Sequence, residues 1–256
     1  MELKNLIVDK KGHVGIIIIN RPPANAWTLE AFLEFESVLD EVENDKEARV
    51  VVITGAGEKC FSSGYDITDY ENLEKSAPKG QELWKRVDRF SKPTIAAING
   101  YALGGGCELA LACHFRIMAD HPKAKIGCTE VNLGVIPAWG GTLMMAGILG
   151  RSRALNMILL SKKISAREAL EIGLIDKVAA SKDLMKDAME YAGLLAERPP
   201  IAVSCVLKAM SAGKYEGIDQ GLKVESESTR ILSKTEDAVK GAMAFLQKRP
   251  PVFKGK

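Results

Sequence analysis

The sequence predicts an α/β fold, on three observations. β-Branched apolar runs recur at Val14–Ile19, Val50–Ile53 and Thr94–Ile98, short enough for strands and apolar enough to be buried. Between them, apolar residues recur at helical spacing. This alternation of strand and helix argues for βαβ units and a parallel sheet. The 256 residues are 46% hydrophobic, which suffices for one large domain or a domain with a smaller C-terminal appendage.

Taken in order, Leu3–Val8 and Val14–Ile19 are joined through Lys-Lys-Gly-His and read as a hairpin. Thr28 offers a helix N-cap, and Phe32, Phe35, Val38, Leu39 and Val42 lie on one face of the helix that follows. Val50–Ile53 reads as a buried strand that ends in the turn Gly-Ala-Gly-Glu-Lys. Residues 67–78 are polar and irregular and read as a loop, Leu83–Phe90 as a helix, and Thr94–Ile98 as the next buried strand. From about Ser165 onward the pattern is helical. Ser233 with Glu236 suggests a capping box before a last helix, Asp237–Gln247, which Pro250 and Pro251 stop.

The formal charge is +2, and no basic cluster suggests a nucleic-acid surface. Five cysteines without a C-x-x-C spacing argue against a disulfide framework or a structural zinc site, and point to reduced thiols in a cytoplasmic compartment. The N-terminus lacks the apolar region of a signal peptide. Residues 94–113 are mostly apolar, but Asn99, Glu108 and four glycines argue against a membrane span. No cluster of metal-ligand residues is apparent, and no metal is expected. The glycines at 55–57 lack the third glycine of a dinucleotide fingerprint. Ser62 and Ser63 have no histidine or acid at motif spacing, so a serine nucleophile is a poor reading.

The chemistry concentrates between Lys92 and Thr142. Glu108 follows Gly104–Gly106 inside an apolar segment, and Glu130 stands between a short strand signal and another apolar run. A buried carboxylate is costly unless paired, hydrogen-bonded or protonated. Two of them beside glycine-rich turns suggest acid–base work. A glycine run alone reads equally well as a tight turn, and a single glutamate as a surface acid.

Asn20–Ala26, Phe61–Asp66, Asn99–Cys113, Thr129–Pro137, Ile164–Val178 and Ala244–Phe253 together resemble, in order and spacing, the enoyl-CoA hydratase/isomerase (crotonase) family. The resemblance implies a crotonase-like spiral of ββα turns over residues 1–195. It also implies a C-terminal helical region, 196–256, that builds a homotrimer or a dimer of trimers. The implied substrate is an acyl-CoA thioester, with coenzyme A as part of the substrate and no separate cofactor. The implied reaction adds water across the C2–C3 double bond of a 2-enoyl-CoA.

By the same resemblance, the backbone N–H groups of Tyr65 and Gly105 form an oxyanion hole, a role that a helix N-terminus suits physically. Glu108 activates water and Glu130 gives the proton to C2. Ala24, Ala26, Ser63, Asp66 and Ile67 line the coenzyme channel, while Phe253 and Lys254 reach the coenzyme of a neighbouring subunit. Relatives that only isomerise, hydrolyse or decarboxylate often keep one glutamate or neither, which favours hydration here. An isomerase, a dienoyl or alicyclic hydratase, and a non-catalytic acyl-CoA- or RNA-binding relative are the alternatives.

The chain departs from the family pattern at several places. Tyr65 stands where many relatives have a small residue. Ala138, at a water-positioning site, replaces a glycine whose N–H survives, and Trp139 replaces a small residue. The two bulky rings admit either altered packing beneath the site or a reshaped acyl pocket. His114, where relatives often carry aspartate, reads as structural.

Overall fold

A computed structural model describes residues 3–256. Its main sheet contains β1 (Leu6–Lys11), β2 (Val14–Ile19), β3 (Val50–Gly55), β5 (Thr94–Ile98), β7 (Phe115–Asp120) and β10 (Lys177–Ala180), in that spatial order. Only β1 and β2 pair antiparallel; every later neighbour is parallel. A second sheet stacks β4 (Cys60–Ser62), β6 (Tyr101–Leu103), β8 (Lys125–Gly127) and β9 (Ile164–Ser165). The chain therefore alternates between two sheets, and each passage from β3 to β4, β5 to β6 and β7 to β8 repeats one turn of a spiral.

The helices are α1 (Leu29–Asn44), α2 (Leu73–Asp88), α3 (Gly105–Ala112), α4 (Gly141–Leu149), α5 (Arg151–Leu159), α6 (Ala166–Glu171), α7 (Leu184–Ala196), α8 (Pro200–Glu216), α9 (Ile218–Leu232) and α10 (Glu236–Leu246). Strands β3 and β5 are buried along their whole length, as their unbroken apolar runs require. Thr28 caps α1 through its side-chain oxygen, and all five predicted apolar positions of that helix are buried. Helices α8 and α9 meet through Ala209, Ala212 and Val224, outside the main core. No helix among the described residues is long and apolar enough to cross a membrane.

Four expectations need correction. The first strand is shifted to Leu6–Lys11, because the turn tightens to Gly12 and His13. Residues 67–78 are not a loop: a short 3-10 helix at Ile67–Asn72 runs into α2, which contains Pro78 and the expected 83–90 helix as its second half. Tertiary packing of Leu83, Trp84 and Val87 overrides the proline, and the small buried Ser76 and Gly80 hid the face from an apolar count. The region after Ser165 is not all helical, since β10 pairs parallel with β7. Finally, Ser233 ends α9, and Thr235 is the residue that caps α10. A complete capping box exists at Ser165 and Glu168 instead.

Candidate active site

The site forms where the second sheet meets α3. Strand β6 pairs with both β4 and β8, so the ends of these three strands deliver the segments 63–66, 104–108 and 128–130 to one place. Gly64 has φ +93°, and a Cβ there would lie 2.7 Å from the Gly105 nitrogen. Only glycine permits that approach. Tyr65 and Gly105 thereby line one cavity, and neither N–H has an acceptor among the described residues. A parallel bridge between Trp27 and Tyr65 fixes the first segment. The Trp84 indole N–H donates to the Gly105 carbonyl at 2.9 Å and fixes the second.

The cavity has a volume of about 510 Å³. Glu108 and Glu130 both line it, with Ser63, Tyr65, Ile67, Ala138 and Trp139 among the expected residues. Glu108 sits in the first turn of α3 and is almost wholly buried. Its Oε1 accepts the N–H groups of Trp139 and Gly141, each at 2.8 Å. With two donors on Oε1, the other oxygen is the one left to hold or take a proton. Glu130 opens the 3-10 turn Glu130–Leu133, and both of its carboxyl oxygens are buried without a partner among the described residues. Such orphaned groups are uncommon in folded proteins and mark places where a ligand or water belongs.

Burial dominates the titration of both acids. It pushes Glu108 up to about 7, overriding the two amide donors, and the neighbouring Glu130 adds to the rise. Burial also raises Glu130. Two raised carboxyls in one cavity titrate as a pair, so across neutral pH the site can hold a proton and a negative charge together.

This shift makes a stability prediction. In the unfolded chain Glu108 ionises near 4.5, whereas in the folded protein it keeps its proton to about 7. Folding is therefore penalised progressively as pH rises between those values, and the penalty is complete above the upper one. At 1.36 kcal/mol per unit this amounts to about 3 kcal/mol. Glu108→Gln is neutral at every pH and keeps an oxygen for the two amides. Thermal unfolding should show the variant more stable than wild type by several degrees at pH 8, with the gap nearly closed at pH 5. An equal difference at both pH values would refute the burial penalty.

Other expected residues fall elsewhere. Ala24 accepts the N–H of Ser63 through its carbonyl, and Ala26 is buried; neither lines the cavity. Asp66 is engaged by Arg21 at 2.6 Å and by Thr68. Within one chain Phe253 and Lys254 lie away from the glutamates: Arg49 donates to the Phe253 carbonyl, and the Lys254 N–H donates to buried Asp237. His114 is half-buried, accepts the Thr94 N–H at 3.0 Å, and is pushed down to about 4 by its loss of solvent, so it holds β5 as a neutral ring.

Sequence reasoning missed Trp84, Gly141 and the apolar rim of Tyr70, Leu73, Leu133, Val135 and Ile136. The rim carried a usable signal, since Leu133, Val135 and Ile136 follow Glu130 directly and are exposed. Trp139 is both a packing and a cavity residue. Its ring is buried among Phe32, Trp84 and Tyr65 in edge-on contacts, and its amide holds Glu108.

A family model described as "Enoyl-CoA hydratase/isomerase" matches residues 9–256. The chain is 39% identical over 255 residues to a short-chain-enoyl-CoA hydratase of Clostridium acetobutylicum, covering 97% of each chain. It is 35% identical over 259 residues to a crotonyl-CoA hydratase of Syntrophomonas wolfei, covering 99% of each. Its fold matches the crystal structure of an enoyl-CoA hydratase from Bacillus anthracis with a TM-score of 0.94 and 37% identity, over 99% of this chain and 100% of that one.

Proposed function

The chain belongs to the enoyl-CoA hydratase/isomerase family, and we propose that it hydrates short 2-enoyl-CoA thioesters with Glu108 and Glu130 as its two proton-handling groups. It is a hydro-lyase: water adds across the C2–C3 double bond to give the 3-hydroxyacyl-CoA. The observation that carries the role of the glutamates is their arrangement. Two buried carboxyls, one of them without a partner among the described residues, line the same cavity as Tyr65 and Gly105, whose N–H groups have no acceptor among those residues.

The thioester oxygen sits between the Tyr65 and Gly105 amides, which stabilise the charge that develops there as C3 is attacked. The helix α3 that begins at Gly105 adds its positive end. A water molecule bridges the glutamates. Glu108, its Oε1 held by two amides, takes a proton from that water through Oε2 while the oxygen bonds to C3. Glu130, whose carboxyl burial raises above its ordinary range, delivers the proton to C2. Ala138 lies beside this water position at the cavity wall. The coenzyme enters and leaves as part of the substrate, and no other cofactor is invoked.

The names of the relatives favour a short linear acyl group, as does the wall formed by the Tyr65 and Trp139 rings, whose centroids are 6.2 Å apart. The C-terminal region 196–256, which contains helices α8–α10, is the part of the chain we assign to trimer contacts, with Phe253 and Lys254 turned toward the coenzyme of a neighbouring subunit. Five free cysteines suit a cytoplasmic setting.

Loss of the enoyl thioester absorbance on adding crotonyl-CoA, followed by mass analysis of the product, tests the reading. A product heavier than the substrate by one water is expected. An isomeric product, or a higher kcat/KM for cyclohexenoyl-CoA or long linear chains than for crotonyl-CoA, would overturn the hydratase or the short-chain part respectively.

A further inference from the structure

The outer wall of the cavity is held by polar ties rather than by burial. The 3-10 helix Ile67–Asn72 has no buried residue, and Ile67 and Tyr70 are 72% and 70% exposed. Yet Ile67, Tyr70 and the following Leu73 form one side of the cavity. A segment with so little apolar burial opens at low cost unless something else restrains it.

Three side chains restrain it. At its start, Asp66 accepts from Thr68 and pairs with Arg21 at 2.6 Å. In its middle, Asp69 breaks the helical geometry with φ −88° and ψ 31°. Its Oδ2 accepts the Leu29 N–H at 3.0 Å, and its Oδ1 accepts from Asn72 at 2.7 Å. The third restraint is the hydroxyl of Tyr65, which donates to the Asp69 carbonyl at 2.5 Å. Tyr65 thus lines the cavity, packs its ring edge-on against Trp139, and reaches the wall with its hydroxyl. The wall is tied directly to the residue whose amide meets the thioester oxygen.

We propose that the Tyr65 hydroxyl is a positioning group that clamps the 67–73 wall over the acyl thioester. The proposal rests on the hydratase reading for its effect on substrate, but not for its effect on the wall. The ring itself fills space and meets Trp139, so only the hydroxyl distinguishes the clamp from packing. One neutral hydrogen bond is worth about a fivefold change in a local opening equilibrium.

Tyr65→Phe in the full-length protein separates these contributions. Amide hydrogen exchange of the free protein should be about fivefold faster in residues 67–73 and unchanged in β3 and β5. The KM for crotonyl-CoA should rise, by at most about fivefold, and by more than kcat falls. Unchanged exchange in 67–73 overturns the clamp, whatever the activity. Faster exchange with unchanged KM overturns its role in holding substrate. A fall in kcat with unchanged exchange assigns the hydroxyl to the reaction instead. Faster exchange throughout, with a lower Tm, assigns it to global stability. If the wild type fails to turn over crotonyl-CoA, the hydratase reading fails, and the exchange measurement still decides the clamp.

Discussion

Glu108→Gln and Glu130→Gln should each lower kcat for crotonyl-CoA hydration by about 10²–10⁴-fold, with KM changed far less. The range is what a positioned proton-transfer group contributes. The geometry says why glutamine is the informative substitution. At position 108 it retains an oxygen for the Trp139 and Gly141 amides, so the loop after Pro137 stays in place. What disappears is the acceptor on the other oxygen, because an amide nitrogen there donates and cannot take a proton from water. At position 130 the carboxyl has no partner to lose among the described residues, so the substitution removes a transferable proton and little else. In the proposed mechanism the two acids act on one water, so the double variant should be hardly slower than the worse single one. Steady-state and single-turnover rates check this. A single variant that keeps more than a tenth of wild-type kcat would exclude that glutamate from the proton transfers.

Where a residue acts by its own chemistry or by an unbroken apolar pattern, the sequence made it legible. The parallel core of β2, β3 and β5 follows from runs of valine and isoleucine that cannot tolerate water, and α1 follows from a threonine cap and a regular apolar face. Glu108 and Glu130 stood out because acids are expensive in apolar surroundings. Residues that act on a partner far along the chain were not legible. Trp84 touches Gly105 from 21 positions away, and Gly141 reaches Glu108 across 33. Neither contact leaves a local pattern. The start of α2 was hidden because its buried positions there are Ser76 and Gly80, which carry no apolar signal. Trp139 was read for its bulk alone, yet its amide bears on the glutamate and its ring on Gly105. A side-chain reading of a sequence does not register what a backbone amide will do.

That double role makes Gly105→Ala the second large effect. A Cβ at this position would lie 2.0 Å from Cζ3 of Trp139 and 2.4 Å from its Cε3, well inside contact distance. The ring is hemmed in on its packed sides. Trp84 and Phe32 meet it edge-on at 5.6 and 5.2 Å, and a Cβ on Gly80 would lie 2.5 Å from its Cε2. Either Gly105 moves, carrying its N–H out of line with the thioester oxygen, or Trp139 moves, pulling its amide from Glu108. Loss of an oxyanion donor alone is worth about 10²–10³-fold in kcat, and a fall of this size is expected. Overpacking should also cost about 1–3 kcal/mol of stability. Truncating the ring tests the cause. Trp139→Ala is itself destabilising because it leaves a cavity, but in that background the added methyl has room and should cost under about 0.5 kcal/mol. Denaturant unfolding of the four proteins in the cycle measures the coupling. An equal cost for the methyl with and without the indole would show that Gly105 is required for its backbone conformation, not for the ring that lies against it.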